Sequence, residues 1–550
     1  MMKIAIIGLL CSFGTSIASA PIPHTAPPPS IRHLSRLLSV DAPLTVIATS
    51  SQGSVRTNSH LTGKTPLKEA LADLQPKAVW ENFYALTRIP RPSHHEQQVS
   101  QFLAGFGRGL GLETIVDSVG NVLIRKHATI SMTQRQGIAL QAHMDMVVQT
   151  TPDKKFEAEK NPIEAFLEGG LVKADRTSLG ADNGIGIAMI MAILQAKDLA
   201  HGPIEALFTV DEESDATGIS ALRPGVLKSN LLINLDSETE GTLIIGSAGG
   251  VSISGSSPYQ EFMTPVGMTA YRLSVMGLRG GHSGLDINRG RGNAGRVLVR
   301  LITEIGPGFG ARVARLEGGD RYGVIPREAT ANIVVPTARA DSLEKYIREF
   351  ERTRRNELAV TEPGLAVRAI PCSLPTLVMD EKAQRDLFDA AYSVPNGVIR
   401  MSDALPDLVE TSCSMGILKA ENGQFGVGIQ VRSSVDSSRD DIAERLLKAL
   451  RLGGMEAATA DAYSGWRPNP KSVILELMKQ SYLTQFGYEP IITALHAGLE
   501  TAAIAVKYPK MDMISIGPTI MDVHSPNEQV EVVSVKKAYD LLVESLRRIP

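Results

Sequence analysis

Short apolar runs and longer segments of helical periodicity alternate along most of the chain, and the two patterns predict different elements. Residues 137–148, 204–210, 231–235 and 511–516 are near-continuous apolar runs, the pattern of strands buried on both faces. Residues 68–87, 471–486 and 533–548 repeat their apolar positions at helical spacing, and 185–196 reads as a helix after a glycine-rich turn. Ser93 and Glu96 precede Val99, Phe102 and Leu103, the form of a capping box with Ser93 as the cap. The neighbouring His94 and His95 would not face each other on such a helix, which argues against a metal pair. The stretch 250–465 has its own strands, turn signals and charged helices at 341–357 and 440–452. Strands alternating with helices predict an α/β fold: a mixed, mostly parallel sheet covered by helices. The simplest layout is one such domain over 75–249 and 466–550, interrupted by an insertion at 250–465. No internal repeat is visible.

The amino terminus departs from this pattern. Lys3, an apolar run over 4–13 and small residues at 16–20 predict a secretory signal over 1–20. Pro21 would hinder cleavage after Ala20, leaving Ala18 as the alternative. The apolar run is shorter than the ~20 residues a membrane span needs, so no stable membrane insertion is expected. Residues 21–74 read as a Pro/Ser-rich leader or linker in which His24, His33 and His60 are solvated. These features predict an exported protein, periplasmic or secreted.

Composition narrows the chemistry. Among 550 residues, 56 Lys+Arg meet 59 Asp+Glu, a net charge of −3 that excludes a phosphate-neutralising nucleic-acid binder. A hydrophobic fraction of 43% with so little net charge excludes a wholly disordered chain. Three cysteines, Cys11, Cys372 and Cys413, form no CxxC, so neither a thiolate zinc site nor a disulfide framework is credible. Histidine and carboxylate remain.

Five short stretches place such residues at element ends. His143 and Asp145 stand two apart where an apolar run stops, so they share a strand face; His143 can bind a metal while Asp145 receives the other ring N–H. Asp182 lies in the glycine-rich stretch 178–186, where it is either a helix cap or a carboxylate bridging two cations. Asp211, Glu212 and Glu213 follow a strand and would repel unless positive charge is near; alone they read as a solvated acidic turn. Asp236 and Glu238 follow another strand, and Asp522 and His524 stand near the carboxyl terminus. Together these give a mixed N/O set suited to two zinc-like ions.

These residues resemble the dinuclear-metal aminoacyl-histidine dipeptidases, also called cytosolic non-specific dipeptidases, from about Trp80 to the end. The stretches that carry the resemblance are 143–147, 178–186, 211–213, 235–238, 280–284, 325–329, 432–436, 496–500 and His524-Ser525-Pro526. It implies a zinc-exopeptidase-like catalytic domain with an inserted α+β lid and dimerisation domain. His143 and Asp236 would hold one divalent ion, Glu213 and His524 the other, and Asp182 both. Zn²⁺ is the first expectation, with Mn²⁺ or Co²⁺ served by the same ligands. Asp145 would orient His143, and Glu212 would be the general base, moving a proton from water to the leaving amine. His282, supplied across a homodimer, would stabilise the oxyanion, and Arg432 would grip the substrate carboxylate. His496 is expected only to support the site. The implied reaction is hydrolysis of unblocked dipeptides, Xaa-His included. A deacylase or carboxypeptidase with the same metal chemistry is the alternative, and a non-catalytic peptide or metal binder is the reading from another class. The chain departs from the family where Gly323-Val324 replaces an expected asparagine and where Val148-Gln149 replaces Cys-Glu.

Overall fold

The computed structural model describes residues 63–550, so the predicted signal and most of the leader lie outside the described residues. Packing begins before the expected boundary at 74: Leu67 and Leu74 are buried in the core. The helix expected over 68–87 is two, Leu67–Ala70 and Lys77–Thr87. Pro76 lies between them, lacking the N–H a continuous helix would use.

The apolar runs form the centre of an eight-stranded sheet. Its strand order is Glu113–Val116, Val122–Lys126, Ile204–Thr209, Ile138–His143, Leu231–Asn234, Asp512–Ser515, Thr242–Ser247 and Ile491–Leu495. The Ile138–His143 strand pairs in parallel with both Ile204–Thr209 and Leu231–Asn234, and Leu231–Asn234 with Asp512–Ser515. Val122–Lys126 runs antiparallel to Ile204–Thr209, making the sheet mixed. Helices Lys77–Thr87, Ala181–Gln195 and Val532–Arg548 contribute to one core with these strands. The Ala181–Gln195 helix is apolar all round and buried from Ile185 to Leu194, as expected for a helix covered on every side.

A second sheet of nine strands is entirely antiparallel and is contributed by residues between Gly249 and Tyr463. Helices Ala294–Phe309, Ala340–Glu357, Glu381–Ser393 and Asp436–Leu452 pack with it around a separate core. The chain enters and leaves this sheet through neighbouring segments. Ser247 and Trp466 exchange both backbone hydrogen bonds, at 2.8 and 2.9 Å. A Cβ on Gly249 would lie 2.5 Å from Gly465 N, so only glycine permits this approach.

A small sheet of five strands completes the frame. Within it, Ile520–Met521 pairs with Gln529–Glu531, and the latter with Leu171–Ala174. The loop it closes carries His524.

Ile233 is fully buried in the middle of the eight-stranded sheet. Ile233→Ala should lower unfolding stability by about 2–5 kcal/mol, read as a fall in the urea midpoint; an unchanged midpoint would contradict this placement.

Candidate metal centre

Three adjacent parallel strands deliver the first groups at their carboxyl ends, where open α/β sheets collect their sites. His143 ends one strand and Asp145 follows it; Glu212 and Glu213 follow the Ile204–Thr209 strand; Asp236 follows Leu231–Asn234. Asp182 lies in the first turn of the Ala181–Gln195 helix, after Gly180 at φ 70°. His524 comes in from the small sheet with its own φ at 58°.

These side chains converge on Asp182. His143 Nε2 lies 3.1 Å from Asp182 Oδ1 and 3.2 Å from Asp236 Oδ1. His524 Nε2 lies 3.2 Å from Asp182 Oδ2 and 2.8 Å from Glu213 Oε1. Each Asp182 oxygen therefore meets a different imidazole, and each imidazole nitrogen reaches a different second carboxylate. Ligand atoms of His143, Asp182 and Glu213 all lie within 4.8 Å of one another. Apart from the imidazoles, the groups that meet here are acceptors, and this donor set fits two divalent cations sharing a carboxylate.

Asp145 links two of these groups. Its Oδ1 faces His143 Nδ1 at 3.3 Å and accepts the Glu212 N–H at 3.0 Å, while Oδ2 accepts the Glu213 N–H at 3.1 Å. Ser93 Oγ also donates to Oδ2, at 2.8 Å. Ser93 is thus not the predicted helix cap. The helix runs Gln97–Gly109 with Glu96 at its N-cap, and the Glu96 carboxylate accepts from His94 N and Asp211 N. Asp145 outcompeted the local capping pattern.

The electrostatics follow from crowding. Burial opposes charge on Asp145 and Asp182, yet His143 for both, and His524 for Asp182, hold their pKa values below the ordinary range. Burial lifts Asp236 to about 6 and Glu238 to about 8. Burial also raises Glu212 well above its usual value, reinforced by Asp236 and Glu500. Asp182 and Glu213 raise His524 to about 11, and Asp236, Asp145 and Asp182 raise His143 despite its burial. The imidazolium charges stand where the carboxylates demand a cation.

Sequence reasoning missed the supports. Arg91, 3% exposed, donates to Met144 O, Asp145 O and Gly180 O. Asn183 Nδ2 donates to Asp236 Oδ1. Beneath the strand ends, Glu500 Oε2 accepts from Gln141 and Thr209, and Gln141 accepts from Asn234. The only sequence signal for Arg91 is its setting between Pro90 and Pro92. Glu500 fell inside a matched stretch but was given no part.

Arg432 on the nine-stranded sheet and His282 on a separate two-stranded pairing with Val324–Ile325 form a second cluster. Arg432 donates to Ser283 Oγ at 3.2 Å and Tyr463 OH at 3.0 Å, and its Nη2 lies 3.4 Å from His282 Nε2. His282 Nδ1 accepts from Gly284 N and Leu285 N. That pattern assigns the ring proton to Nε2, so two donors face the same space. A Cβ on Gly323 would lie 3.9 Å from Arg432 Nη2, so the asparagine expected there would border this cluster. His496 Nε2 lies 2.7 Å from Ser412 Oγ. A cleft of about 820 Å³ lies between the sheets, lined by Glu212, Glu500, Gln430 and Tyr463 among others.

Peptidase family M20/M25/M40 matches residues 139–548. The cytosol non-specific dipeptidase of Escherichia coli (strain K12) is 37% identical over 480 residues, which cover 87% of this chain and 99% of that protein. The chain belongs to peptidase family M20/M25/M40. The crystal structure of aminoacylhistidine dipeptidase from Vibrio alginolyticus superposes on this M20 chain with a TM-score of 0.81 at 36% identity, covering 87% of the one and 98% of the other. Aminopeptidase PepT from Bacillus cereus, at 15% identity, a TM-score of 0.51 and coverage of 86% and 99%, shares the fold alone. The M20 fold is the mixed α/β arrangement that the alternating pattern predicted.

The expectation of an exported, periplasmic or secreted protein is overturned by the Escherichia coli relative, which is alike over nearly its whole length and carries a cytosolic name. A charged start, an apolar run and small residues are a local pattern, and resemblance along the chain outweighs it. Among the described residues, no helix is long and apolar enough to cross a membrane.

Burial depresses His282 to about 4 and His496 to about 3, with Arg432 adding to both. Their unfolded forms bind protons near pH 6.5, so stability is full above that pH and falls as pH drops toward about 4. Thermal midpoints over this window should fall less steeply in His496→Asn than in the unsubstituted protein; equal slopes would refute the assignment.

Proposed function

We propose that this M20 chain hydrolyses the peptide bond of unblocked dipeptides, Xaa-His among them, using two divalent cations and Glu212 as general base. The observation that carries this reading is Asp182 between two imidazoles, with one oxygen on His143, which also meets Asp236, and the other on His524, which also meets Glu213. His143 and Asp236 would hold one cation, Glu213 and His524 the second, and Asp182 both. Zn²⁺ suits imidazole and carboxylate together, and Mn²⁺ or Co²⁺ suit the same ligands. When bound, the cations polarise the scissile carbonyl and acidify a water molecule.

The side chains do the rest. The Glu212 carboxylate takes a proton from the attacking water and delivers it to the leaving amine. Asp145 fixes the His143 ring through Nδ1 and the Glu212 backbone through its N–H, so ligand and base share one anchor. Arg432 receives the carboxylate of the substrate. His282, with Nδ1 occupied by two backbone N–H groups and its proton on Nε2 beside Arg432, donates to the developing oxyanion. A homodimer in which each copy's lid supplies His282 to the other belongs to this reading. So does the division into a catalytic domain at 75–249 and 466–550 with a lid and dimerisation domain at 250–465.

Glu212→Gln should lower kcat on dipeptides by about 10²–10⁴-fold with metal content unchanged. Full turnover by that variant would sink the mechanism. Chelation should abolish hydrolysis, and re-addition of Zn²⁺, Mn²⁺ or Co²⁺ should restore it. Activity should fall from dipeptides to tripeptides and to N-acyl amino acids; a preference for the last would make the chain a deacylase.

A further inference from the structure

Glu528 is 3% exposed and lies four residues beyond His524, in the same loop. Its carboxylate accepts backbone N–H bonds from another part of the chain. Oε2 takes those of Leu179 at 2.8 Å and Gly180 at 3.0 Å; Oε1 takes those of Ala181 at 2.8 Å and Asp182 at 3.3 Å. They come from four consecutive residues of the turn that leads into the Ala181–Gln195 helix, whose backbone is still non-helical at Asp182 and Asn183 and which its own sequence leaves without a side-chain cap. The N-cap is Gly180, where a Cβ would lie 2.6 Å from Met146 Sδ and 2.7 Å from Arg91 Nη2. No local capping side chain fits there, so the cap comes from a distant segment. On the other side of the turn, Arg91 Nη2 donates to Gly180 O.

We propose that Glu528 is a positioning residue for the shared carboxylate: from the loop that carries His524 it holds the turn that carries Asp182, fixing both relative to one another. The proposal rests on the reading of Asp182 as a ligand common to two cations. A carboxylate has the acceptor sites for four N–H donors, whereas an amide offers one acceptor oxygen and turns its own N–H₂ toward donors. A glutamine at 528 would therefore leave part of the turn unheld, and Asp182 with it.

The test uses Zn²⁺ alone as the probe, so its outcome is separate from any failure of the dipeptidase reading. Glu528→Gln, checked for folding by circular dichroism and studied well below its unfolding temperature, is titrated against a chromophoric chelator. Affinity should fall by about 10–100-fold, the usual effect of removing a group that holds a ligand. Both equivalents should weaken together, because Asp182 serves both, whereas Glu213→Gln should weaken one more than the other. Glu528→Asp keeps the charge and the acceptors on a shorter arm, and its affinity should lie between the two. Lowered thermal stability with two Zn²⁺ bound at full affinity would overturn the proposal. Should Glu528→Gln not fold, Glu528→Asp decides: weakened affinity supports the proposal, and unchanged affinity overturns it.

Discussion

Carboxylates do not gather in a protein interior unless something positive, or a set of N–H donors, meets each of them. Around Asp182 the chain assembles Asp145, Glu213, Asp236, Glu212 and Glu238, with two imidazoles among the described residues in direct contact. Much of the surrounding architecture answers that repulsion. Asp145 is met by Ser93, two backbone N–H groups and the His143 ring; Glu528 by the backbone N–H groups of Leu179 to Asp182; Asp236 by Asn183. Arg91, buried among the same groups, brings a full positive charge while its N–H groups bind carbonyl oxygens.

The parallel strands explain why so many acids reach one place. Neighbouring parallel strands end at the same level, so residues just past His143, Thr209 and Asn234 share a surface although more than ninety positions separate the first from the last. The polar layer of Gln141, Thr209, Asn234 and Glu500 lies directly beneath. Such a layer fixes the strand ends through mutual hydrogen bonds where apolar packing gives way to charge.

How much of this was legible varied with the range of the interaction. The central strands and major helices were visible because burial on both faces, or on one face, leaves a local periodicity. His143 and Asp145 were visible because a strand repeats every second residue. The pairing of Asp182 with His524 needed the family resemblance, since no spacing rule connects residues 342 positions apart. Ser93 was misread because a capping box is a local pattern, and its hydroxyl instead bonds a carboxylate 52 positions away. Arg91 and Glu528 left almost no trace because their partners are largely backbone atoms, which carry no residue identity.

The antiparallel sheet hangs from two segments that bond to each other at Ser247 and Trp466, with Gly249 pressed against Gly465. Entry and exit are therefore adjacent, the arrangement under which one folding unit tolerates being spliced inside another. In the gene this makes the middle of the chain a cassette. Its sequence can lengthen, shorten or diverge without moving the ends of the strands that carry the acids. The glycines at the joint and, on the proposed reading, His282 and Arg432 are the parts that such a history must leave alone.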